Sequence, residues 1–237
     1  DDGSRDGTAE ILQMYAHRLI VILRKKNGGK GYAVQCGLQK ATGDYCLIQD
    51  ADLEYDPNEI ATLVRALERG KGDIIYGSRN LLRRWKRMEL LIPRFGVWMI
   101  TKLLNLLYDL SLTDAWTCYK LFPICAVRDF PAGGFEAELL FTAALARRGL
   151  SIGEVPISHH PRSIAQGKKI RYRDGIKALL ALLGDWFFKR ILEKYSTYSG
   201  SFNLQDKRID NRLYTDCTYI LWHTPLNRMM DLQFSGQ

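Results

Sequence analysis

The sequence predicts an α/β domain with a mostly parallel central sheet flanked by helices. Three observations predict it. Apolar runs of strand length recur at 19–23, 45–49, 73–79 and 151–157. Segments with apolar residues at helical spacing separate them. Turns rich in Gly, Asp and Asn follow the strands, as expected where strands and helices alternate.

Taken in order, Asp1-Asp2-Gly3-Ser4 reads as the end of a strand whose body would lie before Asp1, so a first βα unit is expected to be missing. Thr8 can cap a helix carrying Ile11, Leu12 and Tyr15. Leu19–Leu23 reads as a short strand. Asn27-Gly28-Gly29-Lys30-Gly31 then opens a second helix. Glycines before a helix N-terminus let backbone N–H groups approach a phosphate, although the spacing is that of neither a P-loop nor a dinucleotide fingerprint. A plain turn explains it equally well.

The strand Tyr45–Gln49 runs directly into Asp50-Ala51-Asp52-Leu53-Glu54, and Pro57 starts the next helix. Ligands of open α/β sheets bind at the carboxyl ends of strands. Alternate residues of an extended segment share a face, so Asp50, Asp52 and Glu54 are expected to converge on one cation. Hard oxygen ligands suit Mg²⁺ or Mn²⁺ shared with a substrate phosphate. The competing reading is a solvated acidic loop that caps the helix.

A strand at Asp73–Arg79 is followed by a basic stretch, Arg79 to Arg87, that contains Trp85. A long apolar helix is expected from about Pro93 to Tyr108, and another from Gly133 to Arg148. Adjacent His159 and His160 lack partners at metal-ligand spacing. Arg173–Leu192 reads as an amphipathic helix with Phe187 and Phe188 on its apolar side, suited to a membrane interface or to packing on its own domain. Residues 193–237 show no motif and no strong periodicity, which divides the chain into 1–175, 176–192 and a tail.

Lys and Arg number 34 against 26 Asp and Glu, a formal charge of +8. Residues 191–237 hold five of each sign, so the excess lies in residues 1–190 and favours anionic partners. No RNA-binding signature, zinc-finger spacing or heptad run points to nucleic acid. Five cysteines without a C-x-x-C pair fit reduced thiols in a cytosolic setting. No run of about 18 uncharged apolar residues predicts a membrane-spanning helix.

The order of motifs is D-D-G-S-x-D-G-T, N-x-G-K-G, D-A-D, G-S-R, T-D-x-x-T-C-Y-K, G-F-E-x-E and E-V-P-I before a basic segment. It resembles glycosyltransferase family 2, in its dolichol-phosphate mannosyltransferase-like branch, over about residues 1–180. The resemblance implies the GT-A fold and an inverting transfer from a GDP- or UDP-sugar. It also implies a divalent metal and often a polyprenyl phosphate acceptor at the cytoplasmic membrane face. Carried over by position, Asp2 with its neighbour Asp1 falls on the nucleotide-contacting acid, and Lys30 and Gly31 line the nucleotide. Asp50 and Asp52, with Ala51 between them, match the metal and diphosphate ligands, and Glu54 is a further ligand. Arg79 matches a donor contact. Asp114 lies near the acceptor and is the candidate general base, with Glu138 behind it. Arg162, Lys168 and Lys169 match a basic loop that closes on phosphate. Saccharide acceptors, a non-catalytic nucleotide-sugar-binding module and a peripheral membrane adaptor remain open alternatives.

Overall fold

The computed structural model describes residues 1–81, 91–126, 131, 133, 134, 136–161, 172–196 and 217–222, the side chains of 91–94, 172, 173, 189–196 and 217–222 excepted. Among the described residues, five strands make one sheet in the order β4-β2-β3-β1-β5. They are β1 (Tyr45–Asp50), β2 (Ile74–Ser78), β3 (Lys120–Pro123), β4 (Ile152–Pro156) and β5 (Cys217–Trp222). β1 runs parallel to β5 and β2 parallel to β4, while β3 lies antiparallel between β1 and β2. The sheet is therefore mixed, and the expected parallel pattern holds on each side of β3.

Strand alternation sends side chains to two apolar layers. Cys46, Ile48, Ile74, Tyr76 and Phe122 face one layer. It also contains Val34 of α2 (Lys30–Leu38), Leu104 of α4 (Leu91–Tyr108), Phe141 of α5 (Ala137–Arg147) and Leu182 of α6 (Tyr172–Ser196). Tyr45, Leu47, Ile75, Tyr119 and Leu121 face the other, against Leu63 and Leu67 of α3 (Ile60–Glu68). Burying each large apolar side chain contributes about 1.5–3 kcal/mol, so these two layers hold the carboxyl ends of β1 and β2 in place. α6 buries Ala178 and Leu182 in the first layer and leaves Leu180, Phe187 and Phe188 exposed.

α1 covers Thr8–Met14. The expected strand at Leu19–Leu23 is not among the described strands: Ile20 is 72% exposed, and Asp1 N donates to Ile22 O while the Asp1 carbonyl accepts from Arg24 N. An apolar run needs a neighbouring backbone to become a strand. Conversely, β3 and β5 were not expected. β3 is only four residues long and carries a lysine. Most of the basic stretch after Arg79, and Arg162, Lys168 and Lys169, lie outside the described residues.

Candidate functional site

The carboxyl end of β1 places the first acid. All six residues of β1 are buried, and Asp50 is its last, 6% exposed. The chain then turns. Leu53 sits at φ 60°, a left-handed conformation disfavoured by a Cβ. Asp52 accepts a hydrogen bond from Glu54 N at 3.1 Å, and Asp56 accepts one from Asn58 N at 2.9 Å. Extended alternation thus stops at Asp50, the last residue of β1. Glu54 instead reaches His159, Oε2 to Nε2 at 3.0 Å, and its carbonyl accepts from His160 N at 2.9 Å.

Among the described residues no group of three or more His, Cys, Asp and Glu side chains is gathered to hold a metal. The fit is to a different kind of site. Mg²⁺ commonly takes one or two carboxylates and completes its shell with substrate phosphates and water. Asp50 and Asp52, flanking the partly buried Ala51, supply that pair of hard oxygen donors.

Beneath Asp50 lies a chain of buried charges. Lys30, the first residue of α2, is 4% exposed and turned inward. Its Nζ donates to Asp50 Oδ2 at 2.9 Å. Asp50 Oδ1 and Glu138 Oε1 stand 2.8 and 2.7 Å from the same ammonium as ion contacts rather than hydrogen bonds. The Cys118 thiol donates to Asp50 Oδ2 at 2.6 Å and accepts from Lys30 Nζ at 3.2 Å. Lys120 of β3 pairs with Glu138 Oε2. Burial alone would lower the Lys30 pKa, but Asp50, Cys118 and Glu138 outweigh it and raise it well above the usual value. Burial alone would raise Glu138, but Lys120 and Lys30 hold it below the carboxylate range. Burial and Asp50 push the Cys118 thiol up.

Lys30 reaches this position because the glycine turn before it packs tightly. Gly29 has φ 90°, and Gly31 donates to Gly133 O at 2.9 Å. A Cβ on Gly31 would come within 2.5 Å of Pro131 O, so no other residue fits there without backbone movement. Asp2 braces the same turn. Its carboxylate accepts from Gly28 N, from Gly29 N at 2.7 Å and from Arg24 Nη1 at 2.6 Å. The Asp1 side chain accepts from Gly3 N and Ser4 N and closes its own turn.

The carboxyl end of β2 builds a second cluster. Arg79 donates to Asp114 through Nε at 2.6 Å, Nη2 at 2.7 Å and its backbone N at 3.1 Å, and through Nη2 to Trp116 O. Asp114 is fully buried. Burial would raise its pKa, but the guanidinium outweighs this and holds it below the usual range. Both carboxylate oxygens are engaged by a permanent cation, so Asp114 stands as the counter-ion of Arg79 in this structure. Glu154 of β4 fixes the segment from below, accepting from Thr113 N, Thr113 Oγ1 and Asp114 N.

After β4, Ile157 N donates to Ser78 O, and Ser158 N donates to both oxygens of Glu59. With the His159–Glu54 pair, this ties the chain leading toward Arg162 to the acidic turn. Cys118, Lys120 and Glu154 stand in the motifs without an assigned role, Glu59 was not singled out, and His159 was weighed only as a metal ligand. One signal was present. Lys120 interrupts the run Tyr119-Lys120-Leu121-Phe122, and a lysine inside a buried strand requires a partner.

The sequence matches the family model described as glycosyl transferase family 2 over residues 1–123. It is 30% identical over 166 residues to the low-salt glycan biosynthesis hexosyltransferase Agl6 of Haloferax volcanii, covering 68% of this chain and 39% of that protein. It is 28% identical over 210 residues to the dodecaprenyl-phosphate galacturonate synthase of Rhizobium johnstonii, covering 86% and 60%. A Pseudomonas savastanoi undecaprenyl-phosphate 4-deoxy-4-formamido-L-arabinose transferase is 40% identical over 94 residues, 36% of this chain and 28% of that protein. The chain thus spans only part of these relatives. Among solved structures, glucosyl-3-phosphoglycerate synthase from Mycobacterium tuberculosis with Mg²⁺ and uridine diphosphate superposes with a TM-score of 0.54 at 21% identity, covering 77% of this chain and 66% of that one. At that identity the likeness speaks for the fold alone, and it bears out the GT-A architecture.

Proposed function

The chain belongs to glycosyl transferase family 2, and on that premise we propose that it moves a sugar, with inversion, from a nucleoside diphosphate donor to a polyprenyl phosphate. An oxygen of the acceptor phosphate attacks the anomeric carbon. The bond from that carbon to the diphosphate breaks, and its electron pair leaves with the nucleoside diphosphate. A divalent cation, Mg²⁺ or Mn²⁺, supplies positive charge at the departing diphosphate when bound. Asp50 and Asp52 are the residues that would hold it, and the glycine turn braced by Asp2 lies beside them across Lys30. Arg162, Lys168 and Lys169 are assigned to the phosphates, as the motif order suggests. A GDP- or UDP-sugar is the proposed donor.

One observation carries the choice of acceptor. Asp114 is tied to Arg79 and Glu138 to two lysines, so neither candidate base is free to accept a proton. A hydroxyl acceptor needs such a base, whereas a phosphate is already an anion. The polyprenyl-phosphate relatives point the same way. A peripheral contact at the cytoplasmic membrane face belongs to the same reading. No helix among the described residues is long and apolar enough to cross a membrane. Phe95, Trp98 and Leu106 of α4 and Leu180, Phe187 and Phe188 of α6 nevertheless stand exposed.

The test is a transfer assay with GDP- and UDP-sugars and Mn²⁺, offering a short-chain polyprenyl phosphate or a panel of saccharides. Transfer to the lipid phosphate is expected. Transfer to saccharides alone would overturn the acceptor, and donor binding without turnover on either would leave a binding module.

A further inference from the structure

Four charged side chains from four elements meet behind the Asp50 carboxylate: Lys30 from α2, Asp50 from β1, Lys120 from β3 and Glu138 from α5. None is more than 6% exposed. Two ammonium groups balance two carboxylates, and Lys30 is shared between Asp50 and Glu138. The Thr117 carbonyl takes a further hydrogen bond from Lys120, and the Cys118 thiol gives one to Asp50. We propose that Glu138 and Lys120 are positioning residues of the donor site, setting through Lys30 how much negative charge Asp50 presents to a divalent cation. The proposal rests on the reading of Asp50 and Asp52 as the cation-holding pair.

The physical reason is charge balance where water does not screen. Glu138 draws the Lys30 ammonium away from Asp50, and Lys120 limits how strongly it does so. In a low-dielectric setting, one uncompensated charge within a few ångströms shifts ionic equilibria by an order of magnitude or more. Removing either residue therefore pushes the site in opposite directions. Glu138→Gln leaves two lysines facing one carboxylate, and the excess positive charge repels a cation. Lys120→Met leaves Glu138 to pull on Lys30 alone, and the excess negative charge attracts one. The double variant returns to one lysine and one carboxylate.

Titration of the purified full chain with Mn²⁺ alone, reading free Mn²⁺ by electron paramagnetic resonance, tests this. Glu138→Gln is expected to raise the dissociation constant about tenfold and Lys120→Met to lower it severalfold. The double variant is expected to return to within about threefold of the unaltered protein. A merely structural role makes the double variant the worst of the three, and that result overturns the proposal, as do unmoved affinities or shifts of one sign. Circular dichroism checks each fold. Should Glu138→Gln not fold, Lys120→Met decides alone, and an equal or weaker affinity refutes it. Asp52→Asn, titrated in parallel, tests the underlying reading. If it binds Mn²⁺ as the unaltered protein does, or if the unaltered protein binds none, the cation pair is wrong and the proposal falls with it. If Asp52→Asn loses Mn²⁺ while the Glu138 and Lys120 variants bind it with the affinity of the unaltered protein, the proposal alone fails.

Discussion

The ends of β1 and β2 each bury an aspartate against a cation, and they do so in different ways. Asp114 meets the guanidinium of Arg79 in a closed two-pronged pair, with the Arg79 backbone N–H as a third donor. Asp50 meets a lysine that is itself divided between two carboxylates, and one of its oxygens makes an ion contact without a hydrogen bond. The first arrangement is saturated, whereas the second retains bonding capacity. Burial and a shifted pKa occur at both, so neither property alone marks the chemical centre.

Breaking the closed pair gives the largest expected effect. Arg79→Met strands the Asp114 charge in the interior and should destabilise the fold by about 3–5 kcal/mol. That corresponds to a fall in Tm of roughly 10 °C for a domain of this size, read by a thermal melt. A melt unmoved by Arg79→Met would remove the distinction between the two ends. The open end should behave conversely. Asp52→Asn, on the partly exposed turn, should cut transfer about 100-fold or more while changing stability by within about 0.5 kcal/mol.

Acid sharpens the comparison further. Cationic partners hold Asp114 and Glu138 below the carboxylate range despite their burial. Their unfolded values lie near about 4. Because the folded values are the lower ones, their stabilisation is fully present above about pH 4 and is lost as pH falls through the folded values. Denaturant midpoints should therefore hold from neutrality to about pH 5 and fall steeply below about 4. The smallest effect concerns the turn between Asp52 and Glu54. Leu53→Gly relieves a left-handed conformation and should raise stability by about 0.5 kcal/mol at most, the relief being offset by the unfolded-state entropy of glycine. A loss of stability on that change would show that the half-exposed Leu53 side chain contributes more than its backbone strain removes.

The carboxyl end of β1 was legible because strand and acids are contiguous. An apolar run followed by Asp-Ala-Asp puts the carboxylates at the strand end whatever the rest of the chain does. Convergence of Glu54 with them was argued from an extended backbone running on past Asp50. Leu53 ends that continuity, and no local pattern announces a leucine at positive φ. Asp114 was legible as an acid near the site and illegible as a counter-ion, because Arg79 lies 35 positions away. Lys30 shows the same limit: the glycines before it suggested a phosphate turn, while its inward course depends on Glu138 of α5. The run at 19–23 had strand composition and lacked a ladder. β3 had a ladder but little strand composition, with a lysine whose partner only the folded chain supplies.

β5 has a consequence for the order of assembly. Its pairing joins Tyr45 to Cys217 and continues in step to Asp50 and Trp222. The residues that β1 and β5 join lie further apart in sequence than those that β2 and β4 join, and contacts of longer range form more slowly. Protection of the β5 amides from hydrogen exchange should therefore develop after that of the β4 amides during refolding, which pulse labelling reads.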